Sequence, residues 1–327
     1  MKILQLSLII LLMFYKTSDV GCTVDSKIIG GSRARFREFK YAAVFMTSDR
    51  KPTCMGTIIT TKTLLTAAHC FHLIYKKAII RVNISEIFVV AGSRYTTYKE
   101  EGYEERKIKY VKEYPNYSIN EYDLSLNDLA FVILISPFTL SDSIRPVKIY
   151  SKMKNRYKKK WDYFLGNRAV CYTIGFGATT YRKDNYSHLP VYEKPSEYMK
   201  VHKVRLMTYK DCNYYFPFKI AYVEKNDFIC VESANKKHGL CEGDSGSPLV
   251  CDKYLFGIFT SSEDCGERGV PQIFINVVKV LNELPSVDDF QVFSGSNLRR
   301  TFSFKMVVLA IMTILYFNQK YTSNFYF

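Results

Sequence analysis

Several things are scarce in this 327-residue chain, and each scarcity excludes something. It holds one tryptophan, Trp161. No apolar run approaches the ~20 residues of a membrane-crossing helix, so a multi-span membrane protein is excluded. No CxxC or Cys/His pair has the spacing of a zinc site, which leaves a structural metal unsupported. No internal repeat of fixed period is visible, and hardly any segment holds a long 3.6-residue period. Acidic residues are outnumbered, 31 against 46 Lys and Arg, for a net charge of +15. The charge falls to +10 once residues 1–27 and 291–327 are set aside, so the basicity is general. A basic balance without a recognition motif gives only sequence-independent attraction, so nucleic acid is a poor partner.

What is present describes a globular chain: 47% hydrophobic and 24% charged residues, enough for one large or two small domains around a real core. The amino end has a short positive start (Met1-Lys2), an apolar run from Ile3 to Tyr15 and small residues from Ser18 to Gly21. That is the form of a secretory signal peptide, residues 1–21. Sequons at Asn83, Asn116 and Asn185 are compatible with glycosylation on that route. A second apolar run, Met306 to Phe317, lies in the tail 291–327, which has no acidic residue at all. Its length and mixed polar end fit a packed extension better than a lipid-anchor signal, while its basicity suits a membrane surface.

Nine cysteines in an oxidising compartment read as disulfides with one left over. Cys22, in the short segment before the main domain, is the odd one. The other eight allow 105 connectivities, and spacing alone chooses none.

Between Tyr41 and Val277, short apolar or alternating runs are broken by Gly, Pro, Asn and Asp. They are Ala42 to Met46, Thr57 to Thr60, Phe88 to Val90, Leu129 to Ile135, Val170 to Ile174, Val201 to Met207, Pro248 to Cys251, Leu255 to Phe259 and Ile273 to Val278. Such a succession predicts an all-β sandwich or barrel. A short C-terminal helix is expected over Val277 to Leu284. Lys152 to Lys160, with six basic residues, reads as an exposed loop before Trp161.

The segment with most chemical content is Gly243-Asp244-Ser245-Gly246-Ser247-Pro248. A serine hydroxyl becomes a useful nucleophile only when a base takes its proton and donors receive the resulting oxyanion. Flanking glycines permit the sharp turn that exposes such a serine and aims successive N–H groups at one point. Upstream, Thr66-Ala67-Ala68-His69-Cys70 sets a histidine beside a cysteine. Asn127-Asp128-Leu129-Ala130 puts an acid at the start of an apolar strand, where it needs a buried partner. His69, Asp128 and Ser245, in that order, resemble the chymotrypsin-like serine proteases. Ile28-Ile29-Gly30-Gly31 after Lys27 is similar to that family's activated N-terminus.

The resemblance covers Ile28 to Leu284. It implies two six-stranded antiparallel β-barrels and a protease domain over 28–290, preceded by an activation segment at 22–27. It pairs Cys54 with Cys70, Cys171 with Cys251, Cys212 with Cys230, and Cys241 with Cys265. It implies acyl transfer with Ser245 as nucleophile, His69 as base and Asp128 orienting the imidazole. Gly243 and Ser245 would supply the oxyanion hole. Cleavage after Lys27 by a trypsin-like protease would free the Ile28 amine to pair with Asp244. Protein or peptide substrates and serine protease inhibitors are the implied partners, and no cofactor is expected.

The specificity pocket departs from the family pattern. Its floor position falls on Gly239, where a trypsin-like enzyme carries Asp, so basic side chains are disfavoured. Thr260-Ser261-Ser262 replaces Ser-Trp-Gly, which removes the tryptophan wall and gives an entrance glycine a side chain. Thr260 still offers a hydroxyl to Asp128. Gln272 stands where a glycine commonly lines the pocket and partly fills it. A neutral, narrowed or polar pocket follows, for a small, aliphatic, aromatic or amide side chain. Glu242, beside the oxyanion hole, disfavours acidic residues near the bond. Ser93 replaces the first acid of the family's calcium loop, so Glu100, Glu101, Glu104 and Glu105 do not by themselves support calcium. The competing reading is a weak or inactive homologue acting as a secreted binding protein for an acidic partner.

Overall fold

The computed structural model describes residues 31–284, except 76–77, 120–124, 179–180, 184–189, 193–194, 216–226, 235–238, 263–264 and 266–269. The leader, the Lys27–Ile28 junction, Asn185 and the tail therefore lie outside the described residues.

Twelve strands build two closed barrels. The first contains β1 (Ala42–Thr47), β2 (Pro52–Ile58), β3 (Thr63–Thr66), β4 (Ile87–Ala91), β5 (Glu104–Glu113) and β6 (Ala130–Leu134). They are paired antiparallel in the order β6-β3-β2-β1-β4-β5, and β5 returns to β6. The second contains β7 (Val170–Gly175), β8 (Lys200–Leu206), β9 (Phe228–Ser233), β10 (Pro248–Cys251), β11 (Tyr254–Ser261) and β12 (Gln272–Asn276). Their order is β8-β7-β10-β11-β12-β9, closed by β9 on β8. Closure leaves no long unpaired edge, which suits strands this short.

The first barrel is filled by Phe45, Ile58, Leu64, Val89, Val132 and neighbours. The second is filled by Leu249, Phe256, Phe259, Phe274 and others. Between them, Val44, Met46, Met55 and Val90 of the first barrel meet Ile174 and Phe176 of the second. These residues lie on the opposite face of β1, β2 and β4 from the barrel interior. Both faces of β1 are thus apolar, and its pattern is a continuous run rather than an alternation.

Nine of the twelve strands overlap runs expected from the sequence, β2 only at Thr57 and Ile58. β3, β5 and β9 were not expected; β3 and β9 are largely buried, whereas in β5, Glu-Glu-Arg-Lys-Ile-Lys-Tyr-Val-Lys-Glu, only Ile108 is buried. Charged residues there cover an outer face and hide the strand period. The C-terminal helix is a single 3₁₀ turn over Val277–Val280 within the described residues.

The basic stretch expected as a loop is instead the start of a helix, α1 (Lys154–Gly166). Tyr157, Trp161 and Phe164, spaced i, i+4, i+7, are its buried face. Their rings lie 5.1, 5.6 and 5.4 Å from that of Phe256 on β11. The lysines occupy the other side: Lys154, Arg156, Lys158 and Lys159 are exposed. Tyr157 also sets its hydroxyl 2.6 Å from Asn276 Oδ1 and 3.1 Å from the Phe256 carbonyl. The helix is therefore part of the second core, and it is basic only where water reaches it.

Four disulfides add cross-links: Cys54 to Cys70, Cys171 to Cys251, Cys212 to Cys230 and Cys241 to Cys265. Asn83 and Asn116 are exposed. Among the described residues no helix is long and apolar enough to cross a membrane.

Truncating a buried tryptophan removes both transfer energy and packing. Trp161→Ala should cost about 3 to 5 kcal/mol in urea denaturation. A tryptophan in a solvated loop would cost roughly 0.5 kcal/mol or less.

Candidate active site

The site lies where the barrels meet. His69 follows β3, in a 3₁₀ turn over Ala68–Phe71, and the Cys54–Cys70 disulfide anchors the next residue to β2. Asp128 directly precedes Leu129 and β6 and has no exposed surface. A carboxylate so placed must be met by donors. Its Oδ1 accepts the His69 backbone N–H at 2.8 Å, and its Oδ2 lies 2.6 Å from His69 Nδ1. Thr260, at the end of β11 in the other barrel, donates its hydroxyl to Oδ2.

Burial raises the Asp128 pKa, but the facing imidazole and these hydrogen bonds outweigh it and hold the carboxyl below its usual range. Burial lowers the pKa of His69, yet the charge of Asp128 and their hydrogen bond prevail and leave it above the usual value. The ring keeps 28% of its side-chain surface open to solvent. Its Nδ1 is engaged by Asp128, so Nε2 is the nitrogen free to exchange a proton.

Ser245 sits in a tight turn. Gly243 and Gly246 have φ of 92° and 89°, the left-handed region that glycine enters without penalty. A methyl on Gly246 would come 2.1 Å from the Met55 carbonyl oxygen and 2.2 Å from Thr66 Oγ1, so space as well as φ demands glycine. The turn is fixed to both barrels. Met55 N–H donates to the Ser245 carbonyl at 2.7 Å, and Gly246 N–H to the Phe259 carbonyl at 2.9 Å. The sulfur of Cys70, next in sequence to His69, lies 3.7 Å from that same Ser245 carbonyl. Among the described residues, no hydrogen bond is donated by the N–H of Gly243 or of Ser245.

Asp244 points the other way, into the interior, and is 1% exposed. It accepts N–H bonds from Gly177 at 2.6 Å and Cys241 at 2.9 Å. Burial pushes its pKa up to about 7, against the lowering effect of those bonds, and no cation among the described residues pairs with it. Sequence reading missed the residues that make room for it. A methyl on Gly175 or Gly177 would lie 1.8 or 2.5 Å from the Asp244 carboxyl oxygens. The only available signal was the Gly-Phe-Gly spacing itself.

Beside Ser245 opens a cavity of about 200 Å³ lined by Cys241, Glu242, Phe259, Thr260, Ser261, Ser262 and Cys265. Glu242 is exposed at its rim. Gly239 and Gln272 are buried behind it, with Gln272 1% exposed. His69 also lies close to Cys54 and Cys70, but their sulfurs are joined to each other and are not free as metal ligands.

A two-barrel fold with this junction defines the architecture of the chymotrypsin-like proteases, and the comparisons agree. The trypsin family model matches residues 28–283. The chain belongs to the trypsin family of serine proteases. It is 24% identical to mouse kallikrein 1-related peptidase b8 over 272 residues, 80% of this chain and 89% of that one. It is 25% identical to rat cationic trypsin-3 over 260 residues, 79% and 88% of the two chains. Among solved structures, mouse neuropsin superposes with a TM-score of 0.60 at 20% identity, covering 77% of this chain and 96% of that one. Human heparin binding protein gives 0.58 at 21%, with 78% and 94% covered. These two show a shared fold.

The position of Asp244 carries a pH dependence. From about pH 4 to 7 the folded, uncleaved protein keeps a proton on Asp244 that the unfolded chain, with a pKa near 3.9, has released. Its contribution to stability is therefore full below about pH 4 and is lost as pH rises through about 7. Asp244→Asn should remove that loss, so that the variant gains on the parent as pH rises, measured by urea denaturation of the uncleaved Ser245→Ala protein.

Proposed function

We propose that the chain is a secreted serine endopeptidase, made as a zymogen and activated by cleavage after Lys27, with a preference other than basic at the residue before the cut bond. The observation that carries this reading is the His69–Asp128–Thr260 network at the barrel junction, beside a serine held on a glycine turn with two N–H groups that donate no hydrogen bond among the described residues.

In this mechanism Ser245 Oγ attacks the scissile carbonyl as His69 Nε2 takes its proton. The carbonyl π pair moves onto oxygen, where the N–H groups of Gly243 and Ser245 receive it. Collapse expels the amine, which takes the proton back from His69. Water then repeats the sequence on the acyl-enzyme, releasing the acid and restoring Ser245. Asp128 stays ionised throughout, fixing the imidazole tautomer and balancing the imidazolium. Because its other bonds come from the His69 backbone and Thr260, it is held rigidly for this purpose.

Activation has a physical rationale in Asp244. A buried carboxylate without a counter-charge is costly, and the new Ile28 amine would supply one. The pair would fix residues 241–245 and with them the oxyanion hole. Secretion, through removal of residues 1–21, accords with the disulfides and with exposed Asn83 and Asn116 as glycan acceptors. Protein or peptide substrates, an activating trypsin-like protease and serine protease inhibitors are the partners of this reading. Membrane attachment through 291–327 rests on the sequence of the tail.

A second reading, a secreted binding protein for an acidic partner, draws on the exposed Lys154, Arg156, Lys158 and Lys159 of α1. A serine-directed fluorophosphonate separates the two. The Lys27-cleaved protein should be labelled, while the uncleaved chain and Ser245→Ala should not. Asp128→Asn should lower kcat about 10⁴-fold, as the wrong imidazole tautomer does in this chemistry. Failure of folded, cleaved protein to label would favour the binding protein.

A further inference from the structure

Three buried side-chain atoms behind the cavity at Ser245 have no hydrogen-bond partner among the described residues: Ser262 Oγ, Gln272 Nε2 and Gln272 Oε1. Native interiors seldom leave a whole carboxamide unsatisfied, because its desolvation then goes uncompensated. The three atoms converge through strand register. Gln272 opens β12 opposite Val231 of β9. On its other side, an irregularity after Phe259 in β11 sets Ser261 against Ile273, which brings the following Ser262 alongside Gln272. From there the Gln272 amide reaches the backbone of Gly239. A methyl at Gly239 would lie 2.3 Å from Gln272 Nε2 and 2.3 Å from the Cys265 carbonyl oxygen. Glycine at that floor position therefore makes space for the glutamine. Ser262 and Cys265 line the same cavity as Ser245.

We propose that Gln272 and Ser262 form the polar end of the specificity pocket and select an uncharged primary amide, glutamine above asparagine, at the residue before the cut bond. This rests on the endopeptidase reading above. A carboxamide is self-complementary. The substrate N–H₂ donates to Gln272 Oε1 while its carbonyl accepts from Gln272 Nε2, and Ser262 satisfies a remaining position. Competing side chains fail for stated reasons. Lys, Arg, Asp or Glu would bury a charge at a floor whose residues, Gly239, Ser262 and Gln272, are all neutral. Leu, Met or Phe would fill the space and leave all three polar atoms unpaired. The polar atoms of the Gln272 amide are shielded from solvent behind the cavity wall, so the amide must turn toward the cavity to meet a substrate carboxamide, and the longer glutamine side chain leaves it less distance to cover.

The test uses the full chain, cleaved after Lys27, on peptides identical except for Gln, Asn, Met, Glu, Lys or Phe before the bond, with fluorophosphonate labelling of the same preparation. The Gln peptide should exceed its Met and Glu counterparts in kcat/KM by on the order of 10²-fold, since a site built to hydrogen-bond rejects analogues that cannot. Gln272→Met, similar in shape, should lose at least about tenfold of the Gln-over-Met ratio while still labelling at Ser245. Ser262→Ala should lose less, in the same direction, and it decides the matter together with the wild-type ratios where the Met variant does not fold. A labelled wild type that cleaves Met, Phe or Lys peptides as well as Gln overturns the pocket assignment and leaves the nucleophile intact. Absence of labelling in the wild type overturns the endopeptidase reading, and the assignment with it.

Discussion

A carboxylate with no exposed surface, Asp128, is the constraint around which the junction of the two barrels is built. It stands where an apolar strand begins, and burying its charge there is tolerable only because three donors from two separate segments converge on it. His69 gives both its backbone N–H and its ring, and Thr260 gives its hydroxyl from the opposite barrel. Satisfying one charge thus fixes the orientation of the imidazole and sets the end of β11 against the first barrel. Loss of any donor would leave a buried charge under-compensated, so geometry at this point is enforced by energy rather than by packing alone.

The same logic operates a few residues from Ser245 with a different outcome. Asp244 is as deeply buried, but its described partners are backbone N–H groups, and burial pushes its pKa up to about 7. One carboxylate is held ionised by its neighbours and the other is pushed toward its neutral form. The two glycines that admit Asp244, Gly175 and Gly177, sit at the end of β7 and just beyond it, so the second barrel contributes the cradle while the turn contributes the acid. The turn around Ser245 is likewise held by a backbone bond to each barrel, from Met55 and to Phe259. A site made this way depends on how the barrels are seated against each other. That seating is the work of Val44, Met46, Met55, Val90, Ile174 and Phe176.

Much of this was legible in the sequence, for reasons that differ by element. Strands such as Ala42–Thr47 and Pro248–Cys251 are unbroken apolar runs and stand out. The motifs around His69, Asp128 and Ser245 were visible because each combines residue types that a plain core does not need. β5 was missed because ten residues with one fully buried side chain carry almost no period. Helix α1 was misread because lysine density drew attention away from Tyr157, Trp161 and Phe164, whose i, i+4, i+7 spacing was the better signal. Charge reports the side that water touches; spacing reports the side that packs.

By itself the sequence determined the class of fold and the family whose motifs it carries. These follow from local patterns and from motif order along one chain. Only the tertiary structure decided that the His69 backbone N–H joins its ring in meeting Asp128, that Gly175 and Gly177 make the room Asp244 occupies, and that Gln272 extends behind Ser262 to Gly239. Each of these depends on strand register and barrel closure, which bring together residues dozens of positions apart. Hydrogen bonds and close contacts of that kind are properties of the assembled backbone, and no local pattern encodes them.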